Sequence, residues 1–444
     1  MTITVSRGET LRVSVSVEGS EPWSVSDPQV PHWERRVKER IRLGVLEVLA
    51  KAYNLAPSPW GILTGVRPTK LVHALLDEGL AWPQIKVELQ DVYALEPEKV
   101  DLLVDVAKRQ RPFFHPSPND PVSIYVGIPF CPSRCSYCSF AAYPLESHGH
   151  LLKDFLRALR LEIRAVGEFL RELHLTVETV YLGGGTPTTI AGGDLAELLS
   201  LIGTEFRSNL AAEYTVEAGR PETLSLETLS ILKDAGVGRI SINPQSMHDN
   251  TLKAIGRQHT VDDVYKAFGL ARAVDIPIIN MDIILGLPGE ELAHVEHTLK
   301  EISHLRPDNL TVHSLALKRA SRLKKAVGEV HIAHEQGEAM VHLASEYALG
   351  LEMFPYYVYR QRHILGGLEN IGYATANTSS IYNVQMMEER QTIIALGGGG
   401  ITKLVSPDGS LVREPNPKCP ATYSQHIKNG LGQKMERLRR HWLD

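Results

Sequence analysis

Two kinds of hydrophobic pattern alternate through the middle of the chain. Short apolar runs predict strands at residues 123–128, 179–182, 214–218, 239–243, 278–285 and 309–314. Between these runs, apolar positions at helical spacing predict helices near residues 150–173, 193–206, 225–235, 261–274 and 291–305. Strands that alternate with helices indicate a parallel sheet covered by helices. Because six strands are too few to close an eight-stranded barrel, we predict a partial (β/α)6 TIM-like barrel over residues 120–320.

The residues before this region follow a different pattern. Residues 1–18 predict a hairpin of two strands around residues 7–10, Arg-Gly-Glu-Thr. Helical spacing follows near residues 32–50, 69–78, 83–93 and 97–109. We therefore expect a mostly helical N-terminal accessory domain over residues 1–115, followed by a Pro-rich linker.

The residues after the predicted barrel mix helical and strand patterns. Helices are predicted near residues 337–350, 385–396 and 422–443. A hairpin is predicted at residues 404–412, around an Asp-Gly pair. We interpret residues 321–444 as an α+β C-terminal domain that forms a lid or contacts the substrate, because a reactive radical must be kept from water and oxygen.

Composition excludes several classes of protein. The 444 residues are 43% hydrophobic and 22% charged, as in ordinary globular proteins, and the net charge of −5 argues against a nucleic-acid partner. The N-terminus lacks the pattern of a signal peptide, and no run approaches the roughly 20 apolar residues of a membrane span. With few cysteines, a disulfide framework is not expected. We predict a cytoplasmic monomer that binds neither nucleic acid nor membrane.

Three of the four cysteines, Cys131, Cys135 and Cys138, lie within eight residues. Clustered thiolates bind zinc or iron–sulfur clusters. A structural zinc site needs four ligands, usually in two pairs, and no fourth ligand closes this motif. On a four-iron cluster, three thiolates would leave one iron open to a ligand from outside the protein. A structural metal site or free thiols is the alternative, and Cys419 is interpreted as an incidental thiol.

Polar side chains follow several of the predicted strands. The loop after the second strand contains Gly-Gly-Gly-Thr-Pro-Thr, Glu217 ends the third strand, and Gln245 follows the fourth. Asp282 lies within the fifth strand, on the same face as Asn280. A carboxylate there needs a partner if it is buried. Because active sites of such barrels lie at the C-terminal ends of the strands, these residues are candidates for one site.

The cysteine stretch at residues 125–140 resembles the motif of the radical S-adenosylmethionine (SAM) superfamily. The resemblance implies a 4Fe–4S cluster held by Cys131, Cys135 and Cys138, with SAM on the open iron. Reductive cleavage of that SAM releases a 5′-deoxyadenosyl radical. The order of the motifs resembles, more narrowly, the oxygen-independent coproporphyrinogen III oxidase (dehydrogenase) family. The N-terminal extension resembles its branch from Gram-positive bacteria.

The resemblance also implies positions that contact SAM. Those matching the cluster-bound SAM are Tyr125, Gly184, Glu217, Gln245, Arg257 and Asp282. Those matching a second SAM in the family are Gly185, Thr186, Ala316 and Ile401. The alternative interpretation is a tight turn for the glycines and salt bridges or strand-end hydrogen bonds for the polar residues.

The reaction that the resemblance implies converts two propionates of coproporphyrinogen III to vinyl groups, giving protoporphyrinogen IX in haem biosynthesis. Such a substrate carries carboxylates, which arginine recognises well. Candidate cations are Arg360, Arg362 and the basic residues within 318–322. A reductant protein such as flavodoxin or ferredoxin is the implied electron donor.

Two departures from the family pattern, together with the absence of a chaperone haem motif, keep other functions open. Phe140 stands where the family has a fourth cysteine, and Gly127 stands where it has a histidine. The related haem chaperones also lack that cysteine, but their haem motif corresponds here to residues 369–374, which lack the His and Trp. The alternatives are a haem-binding or haem-trafficking protein and a radical SAM enzyme for another tetrapyrrole.

Overall fold

The computed structural model describes residues 1–18, 21–28, 33–117, 119–206, 213–316, 334–361, 364 and 367–443. The chain forms two compact units. One consists of residues 1–109 with 358–360, and the other consists of residues 110–357 with 361–444. The division into three domains at residues 115–120 and 320–321 stays a prediction.

The N-terminal unit begins with a small antiparallel sheet. Its strands are β1 (Thr2–Arg7), β2 (Thr10–Ser16) and β3 (Trp23–Pro28). Its helices are α1 (Trp33–Tyr53), α2 (Thr69–Asp77), α3 (Trp82–Asp91) and α4 (Pro97–Gln110). The predicted hairpin and helices are confirmed. The sequence analysis missed β3, which pairs with β2 and is tied to α1 by an Arg40–Asp27 salt bridge of 2.6 Å.

Parallel strands form the centre of the second unit. They are β4 (Val122–Ile128), β7 (Val177–Gly184), β8 (Glu213–Glu217), β9 (Arg239–Ser241), β10 (Ile278–Leu285) and β11 (Asn309–Ser314). A short ribbon of β5 (Phe130–Cys131) and β6 (Tyr143–Pro144) follows β4. Neighbouring strands pair in parallel in the order β11-β10-β9-β8-β7-β4, so the predicted partial barrel is confirmed.

Helices connect these strands, as the apolar spacing predicted. They are α5 (Leu145–His148), α6 (Leu152–Glu172), α7 (Gly192–Phe206), α8 (Leu226–Asp234), α9 (Asp249–Ala254), α10 (Val261–Ala273) and α11 (Leu292–Leu305). Alternate strand residues such as Ile124, Val126 and Val180 are fully buried in the apolar core. The opposite positions are polar, with Tyr125 paired in register with Tyr181. The interior face of the barrel is therefore available for polar chemistry.

The C-terminal residues extend the same sheet on both edges. The added strands are β12 (Phe354–Tyr359), β13 (Asn370–Ala374), β14 (Ile393–Gly397), β15 (Ile401–Val405) and β16 (Leu411–Pro415). The added helices are α12 (His334–Gly350), α13 (Ile381–Glu388) and α14 (Pro420–Leu443). Strand β13 pairs antiparallel with β11, while β14 pairs in parallel with β4. The predicted hairpin around the Asp-Gly pair is confirmed by the antiparallel β15 and β16.

The predicted helix at residues 385–396 is wrong. Helix α13 ends at Glu388, and Glu389 adopts a left-handed conformation with φ 53°. Residues Ile393 and Ile394 begin the strand β14, every residue of which is buried. Pairing with β4 and β15 satisfies the backbone of this strand, and its β-branched side chains suit a sheet. Tertiary pairing therefore overrides the local helical spacing.

None of the helices in the described ranges is both long enough and apolar enough to cross a bilayer.

Candidate functional site

The clustered cysteines lie on one loop at the C-terminal end of β4. Cys131 and Cys135 are buried, and Cys138 is half-buried. The backbone N–H and the hydroxyl of Ser136 both donate to the carbonyl oxygen of Ile255, at 2.9 and 3.1 Å. The residue after α9 therefore anchors the loop between its second and third cysteines.

Two side chains from other loops donate hydrogen bonds to the sulfur atoms. Thr186 Oγ1 donates to Cys131 Sγ at 3.6 Å. Arg220 Nη2 donates to Cys135 Sγ at 3.0 Å and to the carbonyl oxygen of Ser133 at 2.8 Å. Donors aimed at sulfur favour the thiolate, which is the form that binds iron.

Burial opposes ionisation of two of the clustered thiols. Burial raises the pKa of Cys131 to about 11 and also raises the pKa of Cys138. In the described part of the chain, no three His, Cys, Asp or Glu side chains are arranged for a single metal ion. A four-iron cluster takes each thiolate on a different iron, so three thiols on one loop fit that group.

The glycine turn after β7 packs directly on the cysteine loop. Gly185 N donates to Ile128 O and Thr186 N donates to Phe130 O, both at 2.7 Å. A Cβ atom on Gly185 would lie 2.3 Å from Phe130 O, and Gly184 has a φ of +107° that favours glycine. Close approach therefore requires glycine at position 185, and the positive φ favours glycine at position 184, whatever ligand the turn also contacts.

Glu217 joins the glycine turn to a group of stacked tyrosines. It accepts hydrogen bonds from Gly184 N at 3.2 Å and from the Tyr181 hydroxyl at 2.8 Å. Tyr125 and Tyr382 stack on Tyr181, with ring centroids 6.2 and 4.3 Å away. Burial raises the pKa of Glu217 to about 7. Three predicted residues therefore lie close together in the barrel: Tyr125 on β4, Gly184 on β7 and Glu217 on β8.

Gln245 and Asp282 meet on the next strands. Gln245 has a left-handed φ of 68°, and its N–H donates to Asp282 O at 3.0 Å. Asn280 Nδ2 donates to Asp282 Oδ1 at 2.7 Å, and His313 Nε2 lies 3.6 Å from Oδ2. Burial opposes ionisation of Asp282, but the contacts with His313 and Asn280 outweigh it and lower its pKa below the usual value. The predicted need for partners is confirmed.

Arg257 holds together the loops that follow β8 and β9. Its Nη2 donates to Gly219 O at 3.0 Å and also to Asn243 O. Its Nε is buried and has no hydrogen-bond partner among the described residues. The guanidinium is therefore partly committed to structure and keeps one donor for another group.

The four residues expected at a second SAM are spread over separate elements. Gly185 and Thr186 lie against the cysteine loop. Ala316 pairs with Ile364 in an isolated antiparallel bridge. Ile401 begins β15 and is 43% exposed. The pairwise contacts of these residues give no support to a single second pocket.

The two departures in the cysteine region have different surroundings. A Cβ atom on Gly127 would lie 2.7 Å from Gly398 O, and Gly398 N donates to Gly127 O at 2.9 Å. A histidine at position 127 would therefore collide with the turn after β14. Phe140, in contrast, is 68% exposed, so its side chain leaves the cysteine loop toward solvent.

Among the expected cations for substrate carboxylates, Arg360 lies within the described residues. Arg360 donates to Leu63 O at 2.5 Å and lies 4.7 Å above the ring of Trp60, within the N-terminal unit. The candidates at 318–322 and Arg362 lie outside the described residues.

The stretch that corresponds to the chaperone haem motif is part of the sheet. Asn370–Ala374 forms the buried strand β13, and Asn370 Oδ1 accepts a hydrogen bond from Ser314 N at 2.9 Å. The stretch contains neither the histidine nor the tryptophan of that motif.

Sequence reasoning missed three residues of this site. Tyr181, Arg220 and His313 contact Glu217, Cys135 and Asp282, respectively. Period-two alternation on β7 and β11 could have placed Tyr181 and His313 on the interior face. No local pattern marks Arg220, because its contact depends on how two loops meet.

Comparison with known proteins places the chain in a family. Residues 125–302 match the radical SAM superfamily. The chain is 40% identical over 410 residues to a Bacillus subtilis protein named oxygen-independent coproporphyrinogen-III oxidase-like protein HemZ, covering 91% of this chain and 81% of that one. It is 34% identical over 220 residues to the B. subtilis protein named heme chaperone HemW, covering 49% of this chain and 57% of that one.

The fold comparison agrees with the sequence comparison. The coproporphyrinogen III oxidase HemN from Escherichia coli superposes with a TM-score of 0.57 at 20% identity, covering 73% of each chain. The cysteine loop, glycine turn and strand-end carboxylates described above occupy a barrel of this same kind. The chain therefore belongs to the radical SAM superfamily, in the family of oxygen-independent coproporphyrinogen III oxidase-like proteins, and it uses a 4Fe–4S cluster and SAM.

Proposed function

We propose that this protein is a radical SAM enzyme that oxidatively decarboxylates propionate side chains of coproporphyrinogen III. The observation that carries the proposal is the meeting of three buried or half-buried thiols, the glycine turn and two ionisable carboxyl groups at one end of the barrel. The substrate class is supported by the relative that is 40% identical over 91% of this chain and is named as oxidase-like.

The proposed cluster ligands are Cys131, Cys135 and Cys138. With SAM bound, the cluster would supply a 5′-deoxyadenosyl radical that removes a hydrogen atom from a propionate side chain. Loss of carbon dioxide and transfer of one electron to an external electron acceptor would then leave the vinyl group. The protein keeps the ligand loop in place through Ser136 and favours thiolate through Thr186 and Arg220. Three thiolates on a four-iron cluster would leave one iron free to bind SAM.

The proposed SAM contacts are Tyr125, Gly184, Glu217, Gln245, Arg257 and Asp282, which match the family positions. Three observations support a ligand among them. Gln245 Oε1 and Arg257 Nε are buried and have no hydrogen-bond partner in the described ranges. Glu217 accepts hydrogen bonds from the neutral donors Tyr181 and Gly184, and its carboxyl oxygens have further lone pairs for ribose hydroxyls. Asp282 is held ionised by Asn280 and His313.

The departure at Gly127 limits which residue can act on the substrate. Since the turn containing Gly398 occupies the space beside it, position 127 supplies no proton donor. The exposed Phe140 likewise contributes no thiol to the site. We propose that the chain performs hydrogen abstraction without either group, in the cytoplasm, with flavodoxin or ferredoxin as electron donor.

A haem-handling role is the second candidate. The observation that favours it is the similarity to a protein named heme chaperone, at 34% identity over 49% of this chain. Against it, the stretch corresponding to the haem motif is a buried strand without a histidine. Stable haem binding with a defined axial ligand would favour this second function.

The deciding experiment follows two products together. Anaerobically reconstituted protein is incubated with SAM, a reductant and coproporphyrinogen III, and 5′-deoxyadenosine and the tetrapyrrole masses are measured. Loss of carbon dioxide matched to 5′-deoxyadenosine supports the proposal. Cleavage of SAM with unchanged tetrapyrrole overturns the substrate assignment and directs attention to another tetrapyrrole. The Cys135→Ala variant provides the background for both products.

A further inference from the structure

Arg220 is buried against the proposed cluster loop. The residue is 3% exposed and lies three positions after Glu217, the last residue of β8. Its Nη2 donates to Cys135 Sγ at 3.0 Å, and the same nitrogen donates to Ser133 O at 2.8 Å. One guanidinium thus fixes both the backbone and the sulfur of the loop.

The charge of this guanidinium is balanced by one carboxylate. Arg220 Nη1 lies 3.3 Å from Glu222 Oε1, and His259 Nδ1 lies 3.4 Å from the other oxygen of that carboxylate. A buried arginine is costly unless it is paired, and this pairing leaves Nη2 directed at sulfur. The second buried arginine nearby, Arg257, donates instead to backbone carbonyls.

We propose that Arg220 raises the reduction potential of the cluster through its hydrogen bond to Cys135 Sγ. The inference rests on the proposed ligand role of Cys135, and it is independent of which substrate the enzyme uses. Reduction adds negative charge that is shared with the cysteine sulfurs, so a cationic N–H donor stabilises the reduced state more than the oxidised state. Burial strengthens this preference, because solvent screens the charge less.

The consequence is functional. A cluster with a higher potential accepts an electron from a weaker reductant, but it has less driving force for cleaving SAM. Arg220 would therefore set the balance between these two steps. A neutral hydrogen-bond donor would be sufficient if the contact with Cys135 Sγ only held the loop in place.

The test is an anaerobic redox titration of reconstituted protein, followed by the EPR signal of the reduced cluster. In Arg220→Gln, we expect the ratio of reduced to oxidised cluster at a fixed potential to fall about tenfold, which is a midpoint about 59 mV lower for one electron. Arg220→Lys keeps the charge without the forked donors, and its midpoint should lie between those of Arg220→Gln and the wild type.

The matched control is Arg239→Lys, since Arg239 is 5% exposed but pairs with Glu213 at the other end of the barrel. Its midpoint should equal that of the wild type. A wild-type midpoint in Arg220→Gln with a full complement of iron would overturn the proposal. An equal shift in Arg239→Lys would do the same, because the effect would then be unspecific.

A measurement on the wild type covers the case in which the Arg220 variants do not fold. Protein labelled with nitrogen-15 arginine is reduced and examined by pulsed EPR. We expect a coupling from one arginine nitrogen to the cluster, and its absence would overturn the proposal. Iron analysis of Cys135→Ala separates a failure of the ligand assignment from a failure of the Arg220 inference.

Discussion

Buried polar groups have different partners at the two ends of the barrel strands. Strand β8 has a glutamate at each end. At its N-terminal end, Glu213 pairs with Arg239 at 2.8 Å and accepts from Ser380 Oγ at 2.8 Å and Ile381 N at 2.7 Å. At its C-terminal end, Glu217 accepts from a tyrosine hydroxyl and a glycine N–H, and its pKa rises to about 7.

The neighbouring strands repeat the contrast. At the N-terminal end, Arg239 Nε donates to Asn309 Oδ1 at 3.1 Å, and Asn309 Nδ2 donates to Thr378 O at 2.9 Å. At the C-terminal end, Asn243 Oδ1 and Gln245 Oε1 are buried, and no described residue pairs with them. Buried polar atoms normally have a hydrogen-bond partner, so we infer that a ligand binds at the C-terminal end of the strands. The first end is structural.

The largest expected effect is at the C-terminal end. Cys135→Ala should abolish cluster binding, because two remaining thiolates do not hold a four-iron cluster firmly. Iron and sulfide per chain should fall close to zero after anaerobic reconstitution, with 5′-deoxyadenosine formation lost as well. Cys419→Ala is the control and should retain a full cluster. A cluster retained in Cys135→Ala would contradict the ligand assignment.

A change at the N-terminal end should act on stability. Glu213→Gln leaves Arg239 buried without its ion-pair partner, and such a change costs about 3–5 kcal/mol. The midpoint of urea unfolding should fall. Without denaturant, Glu213→Gln should still fold and cleave SAM at the normal rate. Glu217→Gln should show the reverse behaviour, with weakened SAM binding and no comparable loss of stability. Equal effects of the two variants would remove the distinction between the ends.

The pH dependence of stability sharpens the same comparison. Because the pKa of Glu217 is about 7 in the folded chain and 4.5 in the unfolded chain, the folded state binds more protons between these values. Stability should therefore fall as pH rises from 4.5 to 7, by on the order of 3 kcal/mol. In cluster-free Glu217→Gln this decline should disappear. Urea unfolding at several pH values measures this decline in the free energy of unfolding. An equal decline in Glu217→Gln would show that Glu217 is not its cause.

The smallest effect concerns His313, which holds Asp282. Without it, burial should raise the pKa of Asp282, so His313→Asn should lose SAM affinity as pH falls from 7 to 5. The loss should be larger at pH 5 than at pH 7, because more of the Asp282 carboxyl is then protonated. His342→Asn is the control, because His342 is exposed on α12. If SAM binding by His313→Asn follows the wild-type pH profile, Asp282 does not depend on His313.

Local patterns were sufficient for most of the barrel. Strand periodicity and helical spacing reflect which side chains are buried, and that information is present in each segment. These patterns failed at Ile393–Gly397, whose apolar residues are compatible with a helix or with a strand. Pairing with β4 makes this segment a strand. The motif spacing likewise identified the cysteines, since ligands on one loop are close in sequence as well as in space.

By itself, the sequence determined the strand and helix order of the barrel, the cysteine loop and the family. The tertiary structure alone decided that Arg220 reaches Cys135, that His313 pairs with Asp282, and that Gly398 excludes a side chain at Gly127. These contacts join residues from separate elements. Their geometry depends on how the loops at the strand ends pack against each other, and a pattern within one segment of sequence does not specify that packing.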